Sequence, residues 1–211
     1  MDKFIGDAVM AIWGAPSPIE DHPFAAVQAA LTTVDKIAAA GQAAEARGES
    51  SFGIKIGIHS GPAIVGNVGS AQRYNYTTVG ETVNIAARLE GLPGVYGCSL
   101  LVGPTTAAAV ESLICLREID HVAVKGRTEP LTIFELIALL AYATEAQQDE
   151  VDRYHQALEL YRDRHFERTA EIWLGLGSTD GPTRFMADRA KLYATEPPPE
   201  GWDGVFVMAG K

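Results

Sequence analysis

The hydrophobic period of this chain changes once, near Ala141, and that change limits the folds open to it. Before it, segments that alternate apolar and polar residues are interleaved with segments that repeat every three to four residues; after it, only the helical repeat persists. Residues 2–14 read as two short strands around Gly6-Asp7, a hairpin signal. "GAPSPIEDHP" is a loop that leads into a helix, with Asp21 or His22 as cap and Pro23 in the first turn. Val27, Leu31, Val34 and Ala38 carry that helix to about Arg47, where Gly48 closes it. "SFGIKIGIHSG" alternates as a strand, with Phe52, Ile54, Ile56 and Ile58 on one side and "PAIVGNVG" as the expected hairpin partner. "RYNYTTVG" is a further strand, and "ETVNIAARLEGL" a helix with Glu81 in its first turn, where an acid suits the dipole. A strand "CSLLVG", a short helix "PTTAAAVESL" and a final antiparallel pair, "LREIDHVAVKG" with "LTIFELIAL", complete the region. Hairpins together with crossovers predict an α+β sheet with packed helices.

Beyond the polar stretch "ATEAQQDEVD", Tyr154, Ala157, Leu158 and Tyr161 share one helical face, and Phe166, Ala170, Trp173 and Leu174 share another. Two amphipathic helices joined by a short turn make a helical hairpin, which resembles a tetratricopeptide unit. Only one such pair is present, whereas an array needs about three. "DGPTRFMADRAKLY" adds a third helix, and "PPPEGWDGVFVMAGK" reads as an irregular tail anchored by Trp202 and Phe206. The division expected is a first domain over 1–140 and a helical extension over 141–211.

Charge excludes one class of partner. The net charge is −10 and Lys and Arg form no basic stripe, so nucleic acid binding through phosphate neutralisation is not expected. A phosphate ligand is still compatible, because a few cations focused in a cleft suffice. The two cysteines, Cys98 and Cys115, lie in apolar surroundings without metal-like spacing and read as reduced core thiols of a cytoplasmic protein. No signal peptide is read at the start. The longest apolar stretch, "LTIFELIALLAYA", is interrupted by Glu135 and too short to span a bilayer, so the chain is expected to be soluble.

Three polar groupings stand out. Lys3 and Asp7 sit in the first hairpin; Asn84 and Arg88, four apart, share one face of a helix that follows Thr77; Lys125 stands beside Gly126 at a strand end. Taken singly, each reads as ordinary surface or turn chemistry. Together, "DKFIGDAVMAIWGAP", "GIKIGIHSGPAIVGNVGS", "YNYTTVGETVNIAARLEGL" and "VAVKG" resemble, in that order, the class III adenylate/guanylate cyclase catalytic domain. The resemblance runs from Asp2 to about Ile137. The remainder looks like the extension that follows the cyclase domain in some bacterial receptor-type cyclases.

The resemblance implies a ferredoxin-like, antiparallel-rich sheet with packed helices, an incomplete nucleotide cyclase fold. It implies conversion of ATP to 3′,5′-cyclic AMP for signal transduction: the ribose 3′ oxygen attacks the α-phosphorus and pyrophosphate leaves. In the family two Mg²⁺ or Mn²⁺ ions, held by two aspartates, activate that oxygen and neutralise phosphate charge. Asp7 maps onto the second of those aspartates, and Asp2 onto no catalytic position. Lys3 maps onto the base-recognising lysine and Thr77 onto its partner, where guanine-selective members tend to carry Glu and Cys. Asn84 maps onto the residue that orients the ribose, Arg88 onto the arginine that stabilises developing phosphate charge, and Lys125 onto the lysine that binds the triphosphate. His59 is expected to be core.

The family's first metal aspartate lies in a segment like "DIxGFT", and no such segment occurs in this sequence. The chain is therefore expected to lack the start of the domain and to expose apolar sheet edges. The resemblance also implies a head-to-tail homodimer with shared active sites and an upstream sensory or membrane region, making this the cytoplasmic part of a larger protein. Two functions compete: an adenylate cyclase catalytic region, or a catalytically inactive module that binds nucleotide or dimerises.

Overall fold

A computed structural model describes residues 3–70, 73–123, 129–176 and 180–208. Strands β1 (Lys3–Ile5) and β2 (Ala8–Met10) form an antiparallel hairpin whose turn places Gly6 at φ +63°, open to glycine without strain. Helix α1 (His22–Ala46) begins after Asp21 with Pro23 in its first turn, and Gly48 at φ +78° follows its last turn. Strand β3 (Ile56–Ile58) is shorter than its alternation suggested, and Phe52, expected on its face, is half exposed.

The expected hairpin between β3 and the following strand does not form. Pro62 has no N–H for a ladder, and the chain leaves the sheet there. Thr82 Oγ1 donates to the Pro62 carbonyl at 2.6 Å and holds the departure in place. Strand β4 (Ile64–Ser70) pairs instead with β5 (Arg73–Val79), from Ile64 opposite Val79 inward, as a separate two-stranded ribbon. Helix α2 (Glu81–Glu90) and the single-turn helix α3 (Pro93–Tyr96) then carry the chain back to β6 (Leu100–Val102), which lies parallel to β3.

After α4 (Pro104–Val110), strands β7 (Ile114–Ala123) and β8 (Leu131–Leu139) form the long antiparallel pair the sequence predicted. The C-terminal helices are α5 (Glu145–Arg162), α6 (Phe166–Gly175) and α7 (Gly181–Thr195). Helix α5 opens on a capping box in which Thr144 and Gln147 satisfy each other's backbone N–H groups. Leu174, expected on the buried face of α6, is 55% exposed. At about 100° per residue it lies roughly 70° to one side of the centre of Phe166, Ala170 and Trp173, and Thr169, on the other side, is the flank that is buried. The tail holds a strand that sequence reasoning missed: β9 (Val205–Val207) runs parallel to β7, with His121 opposite Val205. The main sheet has the order β3-β6-β8-β7-β9.

Strand alternation divides the apolar residues between two layers. Leu100, Val102 and Leu136 face α1 and α4, against Val27, Ala30, Ala107 and Val110. Leu101, Ile119 and Ile133 face the other way, against Ile85 and Leu89 of α2 and Tyr154, Trp173 and Met186 of the C-terminal helices. The extension thus shares a core with the sheet. Ion pairs cross that core: Arg189 Nη1 of α7 lies 2.7 Å from Asp120 Oδ2 of β7, and Tyr96 donates to the same oxygen at 2.6 Å. Nearby, Arg117 lies 2.5 Å from Glu135 and 2.9 Å from Asp180. Burial works against the Arg117 charge, but Glu135 and Asp180 outweigh it and hold the guanidinium protonated.

Helix α2 packs on β3 with no side chain between them at one point. A Cβ on Gly57 would come within 2.6 Å of the Ala86 carbonyl oxygen and 2.7 Å of the Leu89 carbonyl carbon. Gly57→Ala is expected to push α2 outward and to destabilise the chain by about 1–3 kcal/mol, the usual range for overpacking. Urea unfolding checks this; an unchanged midpoint would show that α2 shifts freely on the sheet.

Candidate active site

Lys3 and Thr77 lie far apart in sequence, on different ribbons, yet Lys3 Nζ donates to Thr77 Oγ1 at 2.7 Å. The local chain explains the approach. Thr77 stands opposite Gly66 in the β4–β5 ladder, so its cross-strand place carries no side chain. Thr77 is 5% exposed and Lys3 is half-buried. Asp7 is exposed at the β1–β2 turn.

Asn84 and Arg88 lie one turn apart on α2, beside the buried pair Ile85 and Leu89. Gly80, at φ +145°, begins the helix. Arg88 Nη1 stands 3.4 Å from Glu81 Oε1, with 28% of the Arg88 side chain exposed. Such a surface pair contributes about 0–1 kcal/mol, so Arg88 is held in place yet exchangeable to an incoming anion. Sequence reasoning read Glu81 only as a helix-dipole residue; its spacing of two turns from Arg88 was the available signal for the pair. The structure thus brings Lys3 and Thr77 together and places Asn84 and Arg88 on a separate element. Lys125 and Asp2 lie outside the described residues.

His59 follows β3 and is half-buried against Gly103, whose Cβ would collide with its ring. Burial, with Glu135 adding to it, pushes the Cys98 thiol up to about 12. Burial also raises Cys115, and both cysteines are free thiols. Neither is a nucleophile at neutral pH.

Among the described residues, no three carboxylate, imidazole or thiol groups gather into a set that could hold a metal ion. Hard divalent cations take six or more oxygens, with several carboxylates between a pair of them. One exposed Asp7 does not fit a two-cation centre. No described helix is long and apolar enough to cross a membrane.

The model of the adenylate and guanylate cyclase catalytic domain matches residues 3–137. This chain belongs to that family. It is 36% identical over 138 residues to Adenylate cyclase 1 of Rhizobium meliloti (strain 1021), covering 65% of this chain and 21% of that protein. A second relative, an adenylate cyclase of Anabaena cylindrica, is 35% identical over 147 residues, covering 65% of this chain and 28% of that protein. The chain therefore spans about a fifth to somewhat over a quarter of the length of these curated relatives. Among solved structures, the adenylyl cyclase CyaB from P. aeruginosa superposes with a TM-score of 0.58 at 28% identity, covering 68% of this chain and 74% of that one. The mixed sheet and its helices are thus a nucleotide cyclase fold.

Proposed function

We propose that this chain forms the purine- and ribose-phosphate-binding part of an adenylate cyclase catalytic region, one that converts ATP to 3′,5′-cyclic AMP and pyrophosphate. The observation that carries the reading is the 2.7 Å hydrogen bond between Lys3 and Thr77. It fixes an ammonium beside a hydroxyl oxygen. An ammonium with remaining N–H groups can donate to adenine N1, and the threonine oxygen can accept from the adenine amino group. Guanine carries a hydrogen on N1 and a carbonyl in place of the amino group, so it would meet a donor with a donor.

Asn84 orients the ribose in this reading, and Arg88 leaves Glu81 to meet phosphate charge. Lys125 is assigned the triphosphate on the resemblance alone. A second copy of the chain completes each site: Asp7 comes from one copy and Asn84 and Arg88 of α2 from the other. Cation chemistry is not assigned to this chain's own donor set, because Asp7 alone does not support it.

The test is nucleotide binding, which needs no turnover. Fluorescent ATP and GTP analogues are titrated into the chain and into Lys3→Ala. The expected result is at least about tenfold tighter binding of the ATP analogue, the scale of one charge-assisted hydrogen bond, with that preference lost in Lys3→Ala. Equal affinity for the two nucleotides would overturn the assignment.

A second reading is favoured by the single Asp7: a non-catalytic module that binds nucleotide and pairs with a partner copy. It predicts the same binding preference with no cyclisation, and activity separates the two readings.

A further inference from the structure

Strand β7 is irregular between Glu118 and Asp120, where its pairing with β8 shifts register. Helix α5 covers the strand at that irregularity. The Glu118 backbone N–H donates to His155 Nε2 at 2.9 Å. The carboxylate of the same residue pairs with Arg162 of α5, and its Oε1 stands 3.5 Å from His121 Nε2. One glutamate thus ties its backbone to His155 and its side chain to Arg162 across the β7–α5 seam, with His121 of β7 beside the same carboxylate.

A ring nitrogen accepts a hydrogen bond only while the imidazole is neutral. We propose that this seam is a proton-operated latch: protonation of His155 removes the acceptor of the Glu118 N–H, sets two N–H groups against each other, and loosens α5 from β7. The inference is independent of which nucleotide the chain binds.

The groups around the two histidines set the direction. Burial opposes the charge on His155, as do Arg117 and Arg162, while Glu118 and Asp152 favour it; the net effect lowers its pKa. Burial also opposes the charge on His121, with Arg162 acting the same way; Glu118, Asp120 and Asp203 of the tail act against them, and again the net effect is a lowered pKa. A histidine whose folded-state pKa is lowered binds fewer protons folded than unfolded. Its contribution to stability is fully present above the ordinary imidazole value of about 6.5 and is lost as pH falls through the lower folded value. Each such histidine steepens the loss by at most about tenfold in equilibrium constant per pH unit. The released element is substantial, because Tyr154 and Tyr161 of α5 anchor Trp173, with ring centroids 5.4 and 5.7 Å away.

Hydrogen exchange over residues 145–162, corrected for intrinsic rates, tests this between pH 7.5 and 5.5. Emission from Trp173 and Trp202 is followed in parallel. The wild-type chain is expected to lose up to about tenfold of α5 protection per unit below about pH 6.5. His155→Gln, whose amide oxygen accepts the same hydrogen bond and cannot charge, is expected to show only the smaller fall that His121 contributes; His121→Gln should retain most of the wild-type fall. Flat protection in the wild type, or an equal fall in His155→Gln, would overturn the latch. If His155→Gln does not fold at pH 7.5, NMR titration of the wild type decides. A His155 midpoint below the ordinary imidazole value, with the Glu118 amide moving at the same midpoint, supports the latch. An ordinary midpoint, or a Glu118 amide that does not move, refutes it.

Discussion

Purified as its 211 residues and given ATP with Mn²⁺, the chain is expected to form no cyclic AMP above an Asp7→Ala control. The reason lies in the donor set. Asp7 is one exposed carboxylate, and among the described residues no cluster could hold a metal ion. Removing one positioned electrostatic element from an active site typically costs about 10²- to 10³-fold in rate. Failure to hold the cation that activates the attacking hydroxyl costs more. The fold adds a second obstacle. Phe4, Ile5 and Val9 on the β1–β2 hairpin are 67%, 58% and 56% exposed, and Ile64 on the β4–β5 ribbon is 72% exposed. Exposed apolar strands of this kind favour association over an ordered site. Cyclic AMP formation well above the control would show that the second carboxylate comes from within the chain, and would reject the non-catalytic reading as well.

The second large effect concerns stability. Arg189 and Asp120 are 6% and 1% exposed. The arginine also lies over the Phe206 ring at 4.4 Å from its centroid. Among the described residues, Arg189→Ala leaves buried Asp120 with the Tyr96 hydroxyl and the adjacent His121 backbone N–H as its donors. Breaking a buried pair from one side costs about 3–5 kcal/mol, a large share of the total stability of a domain of this size. Chemical denaturation of Arg189→Ala beside the wild type measures it. A loss under about 1 kcal/mol would mean that water reaches Asp120 and that the pair is not a core element.

Local patterns carried most of the fold into the sequence. The hairpin at Gly6, the α1 boundaries at Pro23 and Gly48, and the β7–β8 pair are all set by residues close together in the chain. The elements that were misread depend on distant partners. The strand "SFGIKIGIHSG" by its pattern pairs with its sequence neighbour, whereas β3 is held by β6, some forty residues on. The tail looked irregular because three residues, Val205–Val207, carry no period of their own; β7 makes them a strand. The same limit applies at the site. Lys3 and Thr77 could be named from motif resemblance, but nothing in either segment signals that the two side chains touch. Buried Asp120 and Arg189 lie in segments read only for strand and helix, because a charge is recognisable as buried only once its partner is in place.

Parallel pairing of β9 with β7 also has a consequence for biosynthesis. During translation β7 and β8 emerge together and can zip at once. The outer edge of β7 receives its neighbour only about 80 residues later, which at ordinary elongation rates of about 5–20 residues per second is a delay of roughly 4–16 s. Throughout that interval the nascent chain presents an unpaired strand next to an apolar face still waiting for α5–α7. A ribosome that stops before Val205–Val207 therefore releases a sticky, half-built sheet, and an ordered β7 edge depends on translation reaching β9.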